Sequence, residues 1–280
     1  MFSIFRERKG RAIKEKERLD QLLVTKGLVA SREKGKALIM AGVVYVNQVK
    51  VDKPGTLVSS ADALEIRGKT APYVSRGGLK LEKAIRAFHL EPAGRIVLDI
   101  GASTGGFTHC ALSYGAAKAY AVDVGYGQLD WSLRQDARVI NLERVNARYL
   151  TREQIPEDAD LITIDVSFIS LEKIFPAISG FLKEDGTIVA LVKPQFEAGR
   201  ENVGKKGVVR EKNIHLSVLN KVIQAARECG LEPVGLDYSP VKGPEGNIEF
   251  LLALQKSAHT GTADWDKRSA EVVNAAHEIL

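Results

Sequence analysis

The chain has 280 residues, 45% of them hydrophobic and 27% charged, the balance of an ordinary folded protein with room for one large domain and one small one. Its two cysteines exclude a disulfide framework and a cysteine-rich metal centre, and no window approaches the ~18 consecutive apolar residues of a membrane span. The net charge of +5 is unevenly spread: residues 1–86 hold 19 Lys+Arg against 9 Asp+Glu, and the remainder 21 against 26. A basic front end on a mildly acidic body suggests a polyanion-binding module joined to a second function. The opening "MFSIFRERKG" has no apolar core of signal-peptide length. A cytoplasmic protein is therefore expected, with no metal and no stable membrane association.

Residues 1–16 are charged and without periodicity, and are expected to form a basic arm. Leu19, Leu22 and Leu23 then recur at helical spacing up to Gly27, a stop signal. Ser31 is placed to cap a second helix carrying Ala37, Leu38 and Ala41 and ended by Gly42. "VVYVNQVKV" reads as a hairpin turning at Asn47-Gln48, "DKPGTLV" as a turn, and "ALEIR" as a further strand. Residues 17–67 thus predict a small α+β unit. The run "RLDQLLVTKGLVASREKGKALIMAGVVYVNQVKVDKPG" resembles the S4-type RNA-binding domain. That resemblance implies that Arg18, Ser31, Arg32, Lys34 and Lys36 face RNA, with Lys50 and Lys53 behind them. Such residues contact phosphates and give affinity without sequence readout. The family's hairpin commonly has glycine after its asparagine; Gln48 stands there in this chain, which weakens the turn prediction.

After a linker at 68–72, strands alternate with helices from 73 to 257. Strands are expected at 96–100, 119–124, 139–142, 161–165, 187–192, 233–237 and 248–254, with helices between them that include 79–88 and 216–228. This rhythm predicts an α/β domain, a Rossmann-like, mostly parallel seven-stranded sheet covered by helices. Residues 258–280 are polar, weakly helical near "AEVVNAAHEIL", and are assigned to a tail without a role.

The first strand of that domain runs into a glycine loop, "VLDIGASTGGFT". Three ligands compete for it. A P-loop needs Gly-Lys-Ser/Thr after its four-residue gap, and Phe107 stands where the lysine must be. A dinucleotide loop needs a middle glycine where the chain has Ser103. A loop for S-adenosylmethionine has only to pass close to a ribose and a methionine moiety, with helix amides near the carboxylate. On that reading Gly101, Ser103, Gly105, Gly106 and Phe107 form the cradle. Asp99 orders the loop or reaches the ammonium through water, Asp123 accepts the ribose hydroxyls, and Asn146 approaches the adenine. Asp165 ends the fourth strand on the same side.

The methyl acceptor is read from the later strand ends. "TIDVSF" lacks the Pro-Pro-aromatic turn of base-amino methyltransferases, and Cys110 and Cys229 lack the setting of a cytosine-directed nucleophile. An oxygen acceptor remains. A ribose hydroxyl is a poor nucleophile, so transfer needs a base and close positioning. Lys193 in "ALVKPQFE" is the candidate base, Lys80 in "YVSRGGLKLEKA" the neighbouring cation, and Asp165 and Glu249 the acids that orient them. Lys80, Asp165, Lys193 and Glu249, with "DIGASTGGF", resemble the Lys-Asp-Lys-Glu tetrad of the FtsJ-like ribose methyltransferases. "YVSRGGLKLEKAI", "TIDVSFISL", "LVKPQFEAG" and "GVVRE" narrow the resemblance to the TlyA (haemolysin A-like) family. The resemblance implies cytidine 2′-O-methylation of ribosomal RNA, free or in a ribosomal subunit, with Arg76, Lys205, Lys206 and Arg210 on the RNA. Ser167, Phe168 and Phe196 border the pocket, and both phenylalanines are expected to serve packing. Two rival readings are a membrane-active haemolysin, from the family's name, and a catalytically silent RNA-binding protein.

Overall fold

The computed structural model describes residues 16–29, 31–40, 42–66, 72–256 and 264–280. The predicted arm apart from Lys16, the linker apart from Pro72, and residues 257–263 lie outside them, as do Ala30, Ala41 and Arg67. The chain divides into two compact units, Met1–Thr70 and Ala71–Leu280.

The smaller unit contains β1 (Lys16–Arg18), α1 (Leu19–Thr25), α2 (Arg32–Met40), β2 (Val44–Val46), β3 (Val49–Lys50), β4 (Leu57–Ser59) and β5 (Leu64–Ile66). Leu19, Leu22 and Leu23 of α1 share one face and meet Leu38 and Ile39 of α2 and Val44 and Val46 of β2 in a single core. β2 pairs antiparallel with β3 and β5, and β1 pairs antiparallel with β4. Both hairpin residues are left-handed, Asn47 at φ 49° and Gln48 at φ 70°, the backbone of a primed two-residue turn. Asn47 secures it by donating to Asp62 and accepting from the amide of Ala63. The turn forms although Gln48 replaces glycine.

The larger unit runs α3 (Gly77–Ala87), β6 (Ile96–Ile100), α4 (Gly106–Ser113), β7 (Lys118–Asp123), α5 (Trp131–Arg134), β8 (Val139–Glu143), β9 (Ala159–Ile164), α6 (Phe175–Ile178), β10 (Leu182–Val192), α7 (Pro194–Glu197), α8 (Lys212–Glu228), β11 (Leu231–Tyr238), β12 (Phe250–Lys256) and α9 (Trp265–Ile279). Its strands form one seven-stranded sheet in the order β11-β12-β10-β9-β6-β7-β8. β10, β9, β6, β7 and β8 are parallel, and β12 runs antiparallel to β10 and β11. Successive side chains point to opposite faces: Leu98, Ile162, Ile164, Ile188 and Phe250 enter one core, Val97, Leu161, Val189 and Leu251 the other. α8 covers the first face with Val218, Leu219, Val222, Ile223 and Ala226, at helical spacing. The fold is α/β, a doubly covered sheet whose order reverses at β6.

The region assigned to a tail contains a fifteen-residue helix. Asp264 caps α9 by accepting from the amide of Lys267, and Ser269, Val272, Val273 and Ala276 form its buried stripe against α8 and β11. That stripe is narrow, and the charged residues of the outer face mask it in composition.

Candidate active site

The parallel strands deliver their carboxyl ends to one edge of the sheet, where Asp123 ends β7, Asp165 follows β9 and Lys193 follows β10. β12 runs the other way, so its amino end reaches the same edge and places Glu249 beside Lys193; Phe250 pairs with Val192 in the register. Lys80 comes from the second turn of α3. The four residues predicted from separated segments therefore converge.

Lys80 Nζ donates to Glu249 Oε2 at 2.6 Å and lies 4.0 Å from Asp165 Oδ2. Lys193 Nζ is 2.6 Å from Asp165 Oδ1 and donates to Ser167 Oγ at 2.9 Å. Asp165 thus stands between two ammonium groups, and Glu249, 1% exposed, neutralises the deeper one. In so little water each charge is tolerable only because a partner of opposite sign touches it. The cluster opens on a cavity of about 300 Å³, whose wall also includes Ser75, Arg76, Phe107 and Lys242.

The glycine loop forms the opposite wall. Gly101 is at φ 84°, and a Cβ there would stand 2.5 Å from the backbone oxygen of Asp165. Only glycine lets the β6 loop press against the end of β9. At Gly106 a Cβ would collide with Ser75 Oγ, so the starts of α3 and α4 close on each other across this residue. Gly101, Ser103, Gly106 and Phe107 line the cavity. Gly105, at φ 90°, makes the turn into α4 without lining it. Asp123 is half-buried, outside the cavity wall, and holds the loop: Oδ2 accepts from the amide of Ser103 at 2.8 Å, and Oδ1 from that of Gly125 at 2.7 Å. Each oxygen keeps one lone pair. Asn146, beyond β8, accepts from the amide of Arg148 and is outside the cavity wall.

Asp99 departs from one of its two expected roles. It is fully buried, accepting from the amide and hydroxyl of Thr108 on Oδ2 and from the hydroxyl of Thr163 on Oδ1. Burial pushes its carboxyl up to about 6 although these bonds oppose the shift. It orders the loop from behind and has no surface to offer an ammonium.

An FtsJ-like methyltransferase model matches residues 73–256, and an S4 domain model residues 17–64. A candidate rRNA methyltransferase of Bacillus subtilis, YqxC, is 49% identical over 95% of this chain and 96% of its own. The 16S/23S rRNA (cytidine-2′-O)-methyltransferase TlyA of Mycobacterium tuberculosis is 47% identical over 85% of this chain and 89% of its own. The chain belongs to the TlyA family of FtsJ-like methyltransferases. A solved structure, a candidate haemolysin from Streptococcus thermophilus, superposes with a TM-score of 0.76 at 47% identity, covering 95% of this chain and 97% of that one.

The residues that family membership would assign to RNA divide in the structure. Arg18 and Arg32 are both bound to Asp20, at 3.0 and 2.9 Å, and Asp20 is fully buried. The Arg18 guanidinium, helped by Arg32, holds the Asp20 carboxyl down at about 2. These arginines brace the start of α1 as well as facing outward. Ser31 accepts from the amide of Lys34, as a helix cap does. Lys34 is exposed and Lys36 half-buried, while Arg76, Lys205, Lys206 and Arg210 are exposed. Of these, Arg76 alone reaches the cavity wall.

Three findings were missed or misjudged from sequence. Phe168 is 91% exposed, so it does not serve packing; the TlyA-type "TIDVSF" turn throws it outward at φ 65°. Phe196 lies beside it, ring centroids 5.1 Å apart. Lys242 lines the cavity, and its one sequence signal is a cation in the Pro/Gly-rich run just before Glu249. Glu197, buried, accepts from Ser170 and from the amide of Leu171, and so ties the loop after β9 to α7.

Proposed function

We propose that the protein transfers a methyl group from S-adenosylmethionine to the ribose 2′-oxygen of a cytidine in ribosomal RNA, free or within a ribosomal subunit, in the cytoplasm. The observation that carries this reading is the cluster of Lys80, Asp165, Lys193 and Glu249 on a cavity walled by the glycine loop. The smaller unit's S4 match supports RNA as the substrate class, and the name of the mycobacterial relative supports cytidine 2′-O-methylation.

The chain's own residues fit the cofactor. The cradle at Gly101 and Gly106 leaves no room for side chains, and the free lone pairs of Asp123 suit the two hydroxyls of a ribose. Gly101, Ser103, Gly106 and Phe107 would hold the nucleoside and methionine parts, with Gly105 setting the turn. Asn146 would close the adenine side. Bound there, S-adenosylmethionine supplies an electrophilic methyl group on a sulfonium centre. Lys193, after releasing one ammonium proton to solvent, would as the free amine orient the ribose hydroxyl and receive its proton, with Ser167 and Asp165 fixing its Nζ. Lys80 and Glu249 would hold Asp165 and the cavity wall in register.

The test is radiolabelled methyl transfer to separated ribosomal subunits and to naked ribosomal RNA, followed by nucleoside mass spectrometry. Wild type should yield 2′-O-methylcytidine. Lys193→Ala and Asp165→Ala, shown by circular dichroism to be folded, should each lose roughly 10²–10⁴-fold in rate. Near-normal turnover in both would overturn the mechanism. The haemolytic alternative is read from the same preparations by liposome leakage at nanomolar protein. Among the described residues no helix is long and apolar enough to cross a membrane.

A further inference from the structure

Lys242 sits in the connection between β11 and β12, on the wall of the cavity that holds Lys193. This connection is closely braced. The amide of Ser239 donates to the backbone oxygen of Glu249 at 2.8 Å, and that of Gly243 to the backbone oxygen of Asn247 at 2.9 Å. Asn247, 1% exposed, accepts from the amide of Val209 at 2.9 Å and donates to the backbone oxygen of Gly207 at 2.8 Å. One buried amide therefore fastens the Lys242 connection to the segment that carries Lys205, Lys206 and Arg210. The loop is thus held in place.

The charges of the cavity wall are unequal. Glu249 and Asp165 offset Lys80 and Lys193, which leaves Arg76 and Lys242. Among the described residues neither has a hydrogen-bonded or ion-paired partner. Lys242 is half-buried. A partly desolvated ammonium facing a cavity without a counter-ion gains more than an exposed one when an anion arrives. We propose that Lys242 contacts a phosphodiester of the substrate RNA, beside the ribose presented to Lys193. This rests on the RNA methyl-transfer reading above. A flexible point charge of this kind fixes the register of the backbone and reads no base.

The test compares wild type, Lys242→Ala and Lys242→Arg on ribosomal RNA. Three experiments are run: steady-state methyl transfer for KM and kcat, RNA binding across a salt series, and S-adenosylhomocysteine binding by calorimetry. In Lys242→Ala the KM for RNA should rise roughly tenfold, and the log–log salt slope of binding should fall by about 0.7–1. Lys242→Arg should restore both. The effect should fall on KM more than on kcat, and S-adenosylhomocysteine affinity should not move. An unchanged KM and salt slope would overturn the proposal. So would a tenfold loss of S-adenosylhomocysteine affinity, which assigns Lys242 to the cofactor's carboxylate. The slope is read on binding alone, so it decides the proposal even if no methyl group is transferred.

Discussion

Phe168 holds a backbone conformation that costs a bulky L-residue about 1–3 kcal/mol, yet its ring gains almost no burial. It follows Ser167 of the cavity wall, and its ring leans at 50° on Phe196, three residues after Lys193. Neither packing nor backbone preference explains that arrangement, whereas contact with an unstacked base would. Stacking of a base on an aromatic ring is worth roughly 1–3 kcal/mol. Phe168→Ala should therefore weaken RNA binding about 5- to 100-fold while leaving the melting temperature unchanged or higher. A variant that loses stability and keeps its RNA affinity would make Phe168 a structural residue.

Among the secondary-structure elements, the β2–β3 hairpin gives the most direct test of local chemistry against tertiary context. Both turn residues are left-handed, and Gln48 has none of glycine's tolerance for that region. Gln48→Gly should raise the smaller unit's stability, by up to about 1 kcal/mol in a urea titration; a lower midpoint would contradict this account. The same hairpin shows what sequence conveys. Its β-branched runs and the Asn47 turn signal were legible, as were the apolar runs of the central strands, because burial on both faces leaves a continuous hydrophobic stretch. Asp123 and Lys193 could be placed because parallel strands end at one edge. Glu249 reaches that edge only because β12 is antiparallel, which no local pattern records. The dual use of Arg18 and Arg32 was likewise hidden. Their shared acid, Asp20, is buried beneath them only after α1 and α2 have packed. The α9 stripe and Lys242 were lost for a similar reason, since each acquires meaning from a neighbour remote in sequence.

Across the whole molecule, buried ionisable groups give the two units different responses to acid. His215 of α8 faces α9, its Nδ1 2.9 Å from His277 Nε2 and its ring edge-on to Phe250. Burial first, then His277, lowers His215 to about 4, and burial shifts His277 the same way. Between about 6.5 and 4 the unfolded chain binds a proton that native His215 refuses, so its contribution to stability is lost as pH falls through that window. Asp99 works in the opposite sense. Its native carboxyl, near 6, keeps a proton that the unfolded chain releases near 3.8; its contribution is complete below 3.8 and is lost as pH rises through 6. Glu197, also raised by burial, adds to that direction. The two effects oppose each other from pH 6 to 4 and should leave the larger unit's melting temperature nearly flat there. His215→Leu should then melt progressively higher than wild type on acidification, and Asp99→Asn progressively lower. In the smaller unit Asp20, held at about 2, contributes above 3.8 and loses that contribution only as pH falls through 2. Its unfolding transition should therefore stay put between pH 7.5 and 4 while those of the two variants diverge. Scanning calorimetry of the three proteins across this range makes the comparison, and parallel curves for all three would refute the assignment of either group.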